Sequence, residues 1–172
     1  MNLVLRQLTL DDESVFFEGL QLFSDMERSW YASHYKDGMS FLDLFQILEN
    51  ERKGINLKEG RVPATMMYGF LDGKIVGRLQ IRHYLNDYLA AAGGHIGYAV
   101  ASKFRRQGIA GEMLRQSLPY CRDILKLEKV LVTCDEDNVG SMKTIERNGG
   151  EFENRYVSND GTEMKRRYWI KL

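Results

Sequence analysis

The sequence predicts one α/β (α+β) domain built on a mixed sheet of about seven strands with helices on both faces. Three observations lead there. Strand-patterned segments recur seven times, helix-patterned segments separate several of them, and two glycine-bearing turns join neighbouring strands directly. At 172 residues the chain can bury one core but is short for two, so residues 1–172 are read as a single domain.

Residues 3–9, LVLRQLT, alternate apolar and polar as a strand does, and DDESVFFEGLQLF follows with an acidic first turn and apolar Val15, Phe16, Leu20 and Phe23. Residues 26–38, MERSWYASHYKDG, show no clear period. In SFLDLFQILENERKG, Ser40 reads as an N-cap, Asp43 stands three residues on, Leu44, Ile47 and Leu48 make a stripe, and Gly54 closes the helix. Asp72-Gly73 between ATMMYGFL and KIVGRLQIRHYL is the signal of a tight hairpin. NDYLAAAGG is less regular, and HIGYAV then makes a short strand. A helix through Ile109, Met113, Leu114 and Leu118 meets Pro119, which should kink or shorten it. KVLVTC reads as a buried strand, NVGSMKTIERNGG as a short helix closed by glycines, and EFENRYVS with TEMKRRYWIKL as a hairpin around Asn159-Asp160-Gly161.

Composition narrows the function. Lys+Arg and Asp+Glu both number 24, so no global field attracts nucleic acid or a membrane, and an anion site must be local. Three scattered histidines and no paired cysteine spacing argue against a metal site. Cys121 and Cys134 fall in a helix and a strand and read as buried thiols, and the first residues form neither a signal-peptide core nor a membrane span; the expected location is cytoplasmic.

The stretch FRRQGIAGEML puts bare backbone and positive charge at the start of a helix, where unpaired amides and the helix dipole favour phosphate. Gly108 permits close approach, Ala110 and Gly111 keep the first turn uncluttered, and Arg105 and Arg106 can add charge-assisted contacts. Neither a G-x-G-x-x-G after a first strand nor a Gly-Lys-Ser/Thr loop is present, which disfavours dehydrogenases and NTPases.

At these residues the chain resembles the GNAT superfamily of N-acetyltransferases. Arg105-Arg106-Gln107-Gly108-Ile109-Ala110 matches that family's R/Q-x-x-G-x-G/A loop, and Asn138, Ser141, Glu146 and Gly149 match its N-x-x-A/S-x-x-x-x-E-x-x-G helix. The resemblance implies a mostly antiparallel twisted sheet, with acetyl-CoA in a V-shaped gap between the fourth and fifth strands, splayed by a bulge. Those strands map to residues 95–100 and 129–134. It implies that amides of Arg106, Gln107, Gly108, Ile109, Ala110 and Gly111 hold the pyrophosphate. Backbone of Ala99, Val100 and Ala101 would pair with the pantetheine, and Asn138 and Ser141 would stand on the far wall. Asn138 also fits an ordinary N-cap, and Glu146 fits a structural contact.

Direct transfer of an acetyl group needs a neutral amine, a polarised carbonyl and a proton source for the leaving thiolate. The resemblance places a base at His95. It places a tyrosine acid at position 145, where this chain has Ile145, which leaves Tyr98, Cys134, Tyr156 or water as replacement donors, or a thiolate that departs unprotonated. The acceptor is expected to be a small-molecule or peptide amine, with Trp30, Tyr31 and Tyr35 enclosing it or covering the sheet edge, and Asp25 and Glu27 attracting its charge. Arg166 and Arg167 read as solvated or paired. The main reading is an acetyl-CoA-dependent N-acetyltransferase. An acyl-CoA-binding regulatory module without catalysis stays open, because Ile145 lacks a proton. Tyr168 and Trp169, if exposed, would allow a homodimer; monomer and homodimer both remain.

Overall fold

The computed structural model describes residues 2–158 and 161–172, apart from the side chains of Asp25 and Met26. The elements in chain order are β1 (Leu3–Arg6), α1 (Glu13–Leu22), α2 (Asp25–Tyr31), α3 (Phe41–Lys53), β2 (Ala64–Leu71), β3 (Lys74–Arg82) and β4 (Ile96–Val100). They continue with α4 (Ile109–Pro119), β5 (Lys129–Asp135), α5 (Val139–Arg147), β6 (Glu151–Val157) and β7 (Met164–Lys171). The seven strands form one sheet in the order β1-β2-β3-β4-β5-β7-β6. Every neighbouring pair is antiparallel except β4 and β5, which are parallel.

Local chemistry explains most boundaries. Ser40 Oγ accepts the Asp43 N–H at 3.1 Å, and Gly54 ends α3 in the left-handed region at φ 73°. Asp72 and Gly73 have φ of 48° and 76°, the two positive values that a two-residue hairpin turn requires. The turn expected at Asn159-Asp160-Gly161 falls partly outside the described residues, since Asn159 and Asp160 are not among them. β1 stops at Arg6, three residues before the expected end, and the Arg6 guanidinium clasps Asp12 at 2.6 and 2.7 Å. The α-helical part of α4 ends at Pro119, and a wider π-helical turn, Tyr120–Ile124, carries the chain on, with the Leu125 N–H bonded to the Tyr120 carbonyl at 3.2 Å. A proline removes one amide donor and crowds the preceding turn, which a wider turn tolerates.

Two elements differ from the sequence reading. Residues 25–31 form α2, started by a capping box in which Glu27 accepts the Ser24 N–H at 3.0 Å; seven residues are too few for a hydrophobic period to show. Residues 89–93 form a π-helical turn begun by Asn86, whose Oδ1 accepts the Leu89 N–H at 3.0 Å.

The sheet separates two cores. On one face α1, α2 and α3 cover β2 and β3 through Phe16, Phe23, Tyr31, Phe41, Leu44 and Tyr68. On the other, Ile109, Met113 and Leu114 of α4 and Ile145 of α5 pack on Leu79, Ile96, Val130 and Val132. Helix α4 sits low because Gly69 and Gly77 have no side chain beneath it; a Cβ at either would stand 2.7 or 2.8 Å from Met113 Sδ. Both cysteines are free and buried. Tyr168 is fully buried, not exposed as the dimer expectation supposed: its position in β7 points into the α4–α5 core, and Trp169 alone of that pair is partly exposed. Among the described residues, no helix is long and apolar enough to cross a membrane.

Candidate active site

The parallel neighbours β4 and β5 touch in register only at Ile96 and Val132, whereas β3 and β4 are paired over five residues. Beyond Ile96 no further backbone pairing joins the two strands, and this parting of the sheet toward their C-terminal ends is the candidate cleft. No shift interrupts the β3–β4 register; the sheet's register irregularities lie at Gly69/Phe70 and Phe152/Asn154.

Backbone groups along β4 alternate in direction. The Ala101 N–H is bonded to the Val76 carbonyl at 3.0 Å, so the groups of Ala99 and Ala101 face β3 and those of Tyr98 and Val100 face the cleft. Of the three residues expected to pair with a pantetheine, Val100 is therefore the one suitably turned, with Tyr98 beside it. Ala99 and Ala101 are committed to the ladder.

Past β4 the chain makes a short turn, Ser102–Phe104, and enters α4 at Gly108, with φ 81°. No side chain caps this helix start. The first intrahelical bond runs from the Glu112 N–H to the Gly108 carbonyl at 3.0 Å, so the amides of Ile109, Ala110 and Gly111 precede the helical ladder, as the first amides of any α-helix do. Arg106 has a positive φ of 60° and is exposed, with no ion-pair partner among the described residues. Arg105 is differently placed from the expectation of an anion clamp: its guanidinium pairs with Glu27 of α2 and its Nε donates to the Val100 carbonyl at 3.0 Å. Gln107 Nε2 donates to the Lys103 carbonyl at 3.3 Å.

Across the cleft, Asn138 Oδ1 accepts the Ser141 N–H at 3.0 Å and so caps α5, and the Ser141 hydroxyl meets the Tyr98 hydroxyl at 2.7 Å. Burial pushes the Tyr98 phenol up to about 12 and the Cys134 thiol, which also lies against Ser141, up to about 11. Ile145 is fully buried in the core, and Glu146 accepts from the Tyr168 hydroxyl at 3.4 Å, a structural contact.

His95 stands just before β4 and is 5% exposed. Its N–H donates to the Leu131 carbonyl at 2.7 Å, and its Nδ1 accepts the Leu131 N–H at 2.9 Å. The ring's only free lone pair is thereby used and the hydrogen resides on Nε2, while burial, with a smaller contribution from Arg82, lowers the group to about 4. This geometry suits a neutral ring stitching β4 to β5 and conflicts with the base role expected from sequence.

The expected acceptor residues also divide. Tyr31 is fully buried, stacked between Phe16 and Phe23, and its hydroxyl donates to the Phe16 carbonyl at 3.0 Å; Tyr35 packs edge-on against Phe16 and Phe17. Tyr31 is therefore not free to enclose an amine, whereas Tyr35 is partly exposed. Trp30 is 55% exposed. Glu27 is held by Arg105 and Ser24, and the side chain of Asp25 lies outside the described residues. Arg166 and Arg167 pair with Glu136 and Glu153.

Residues 2–151 match the family model described as the acetyltransferase (GNAT) domain. The chain belongs to the GNAT family. Among curated proteins, the L-amino acid N-acetyltransferase AaaT of Escherichia coli K12 is 23% identical over 112 residues, covering 59% of this chain and 64% of that protein, somewhat under two thirds of its length. The solved structure of Mycobacterium smegmatis RimJ in complex with CoA-disulfide superposes with a TM-score of 0.68 at 19% identity, over 98% of this chain and 81% of that one. A ribosomal-protein-S5-alanine acetyltransferase from Vibrio fischeri gives 0.66 at 15% identity, over 99% and 93%. These structural likenesses extend the GNAT fold over the whole chain.

Proposed function

We propose that this chain is an N-acetyltransferase that binds acetyl-CoA in the β4–β5 cleft and passes the acetyl group directly to an amine. The observation that carries the reading is the uncapped start of α4, opened by a left-handed Gly108 at the end of the splayed strand pair. Its unpaired amides and dipole fit a pyrophosphate, and Arg106, with no carboxylate partner among the described residues, fits the same charge. When bound, acetyl-CoA supplies an activated acyl carbon.

The protein's own groups then do the following. Outward-facing amides of Tyr98 and Val100 hold the pantetheine arm as an added strand would be held. Asn138, whose Oδ1 is used by the cap, keeps its amide hydrogens for the far wall. The nitrogen–carbon bond to the acceptor forms as the carbon–sulfur bond breaks; the amine proton passes to water and the thiolate leaves. Tyr98 stays protonated at neutral pH, so its hydroxyl can leave Ser141 and donate a hydrogen bond to the departing sulfur. With its pKa far above that of a thiol, it serves as a donor and not as the proton's source. His95 acts through position, fixing where β4 and β5 part.

Calorimetric titration with acetyl-CoA, followed by thiol release in the presence of an amine panel, tests the reading. Saturable uptake with amine-dependent release is expected. Uptake without release from any amine would favour the regulatory module, and no uptake by folded protein would overturn both.

A further inference from the structure

On the face of the sheet covered by α1, α2 and α3, β3 presents Arg78, Gln80 and Arg82 side by side, since alternate residues share a face. Their β4 partners in register are Ala99 opposite Arg78 and Gly97 opposite Gln80. Long polar side chains thus border a strip of β4 that carries a methyl group and nothing. Gly97 and Ala99 are partly exposed, while Arg78 and Gln80 beside them are 4% and 5% exposed. The strip opens on the same strand that borders the cleft.

The two arginines lack anionic partners. Several exposed arginines of this chain sit on carboxylates, as in Arg115–Glu112 and Arg122–Asp123. Among the described residues, no carboxylate lies within ion-pair distance of Arg78 or Arg82. Arg78 donates its Nε to the Trp30 carbonyl at the end of α2, its Nη1 meets the Met66 sulfur at 3.6 Å, and its guanidinium lies 5.6 Å from the Trp30 ring centroid. Arg82 Nη1 donates to the carbonyls of Gly93 and Gly94 at 3.0 and 3.2 Å. Its guanidinium lies over Gly97, since a Cβ there would be 3.7 Å from Nη1 and 3.8 Å from Nη2. Carbonyl dipoles offset part of each charge, and Glu51, bonded to Gln80 at 3.4 Å and to His34 at 3.2 Å, offsets more at longer range. Burying a cation without a paired anion is costly, and burial lowers Arg78 to about 10. An anion arriving over Gly97 would relieve that cost.

We propose that the acceptor bears a carboxylate, received by Arg82 and Arg78 over the bare strip of Gly97 and Ala99, so that the substrate class is a free amino acid. Tyr98, Val100 and Ile96 face the α4–α5 side, so an acceptor on the arginine face approaches the cleft from the side opposite the Tyr98 hydroxyl. Amine and thiolate donor then act from opposite faces of the sheet. This inference rests on the acetyltransferase reading above.

The test is a comparison of matched acceptors with the full chain and saturating acetyl-CoA: phenylalanine against phenethylamine and phenylalanine amide, and methionine against its carboxyl-free amine. The expected result is a preference for the amino acids of roughly 10- to 100-fold in kcat/KM, the scale of a charge-assisted hydrogen-bonded contact. Arg82→Gln should narrow that ratio through the amino acid's KM, and Arg82→Lys, which keeps the charge, should restore part of it; thermal melts confirm that both fold. Equal or better turnover of the carboxyl-free amines would overturn the inference. So would acetyl-CoA uptake without transfer to any amino acid. Absent acetyl-CoA uptake would instead remove the acetyltransferase reading, and this inference with it.

Discussion

The hydroxyls of Tyr98 and Ser141 lie 2.7 Å apart, joining β4 to the first turn of α5 across the cleft. The phenol is positioned by the strand and oriented by the helix, and in the proposed reaction it would be the donor to the leaving sulfur. Tyr98→Phe is expected to lower kcat about 100-fold, the usual cost of losing one preorganised donor, with the KM for acetyl-CoA changed only a few-fold. Steady-state kinetics decides it; an unchanged kcat would move the donor role to water.

Ile145 cannot be turned into the missing acid by substitution. It is fully buried, and a Cβ at Gly150 would already stand 2.4 Å from its Cγ2. Ile145→Tyr should destabilise the fold by about 1–3 kcal/mol through overpacking, without a gain in kcat. Denaturant melts and kinetics on the same preparation check both parts.

Gly108 carries φ 81° at the mouth of α4. Gly108→Val puts a branched side chain into the left-handed region at a cost of roughly 1–2 kcal/mol and crowds the amides that would meet the pyrophosphate. A lower melting temperature and weaker acetyl-CoA uptake by calorimetry are expected together. A variant that melts lower but binds normally would place the anion elsewhere.

His95 gives stability a pH dependence with a definite sign. Its folded value of about 4 lies below the ordinary 6.5, so the unfolded chain takes up a proton first as pH falls. Stability from this group is complete above about 6.5, declines as pH falls toward about 4, and changes no further below that. His95→Asn keeps an acceptor for the Leu131 N–H and does not titrate. The difference in melting temperature between wild type and variant should shrink as pH drops from 6.5 to 4, and kcat near neutrality should be largely kept. An acidic limb in kcat that vanishes in the variant would return His95 to the role of base.

The strands, α3, α4, α5 and the Asp72-Gly73 turn were legible because each carries a period or a cap long enough to stand out, as Ser40 and Gly54 do for α3. Helix α2 was signalled only by Ser24 and Glu27, and the turn Leu89–Gly93 only by Asn86. The loop at Gly108 could be found from composition and the resemblance together. Arg105 and His95 could not be assigned, because their partners Glu27 and Leu131 are 78 and 36 residues away and come together only through the sheet. Arg78 and Arg82 gave no signal at all: in sequence they are two arginines in a strand, and their unpaired burial exists only once α2 and the Gly93-Gly94 turn fold over them.

Met113 seats α4 in the hollow left by Gly69 and Gly77, on strands that never meet the cleft's open end. The height and tilt of the helix are therefore set from below. A side chain grown at Gly69 would press on Met113, and one at Gly77 on Met113 and the Ala99 carbonyl, so the floor of the sheet bears on the seat of the helix whose first amides face the proposed coenzyme, through residues that would never touch it.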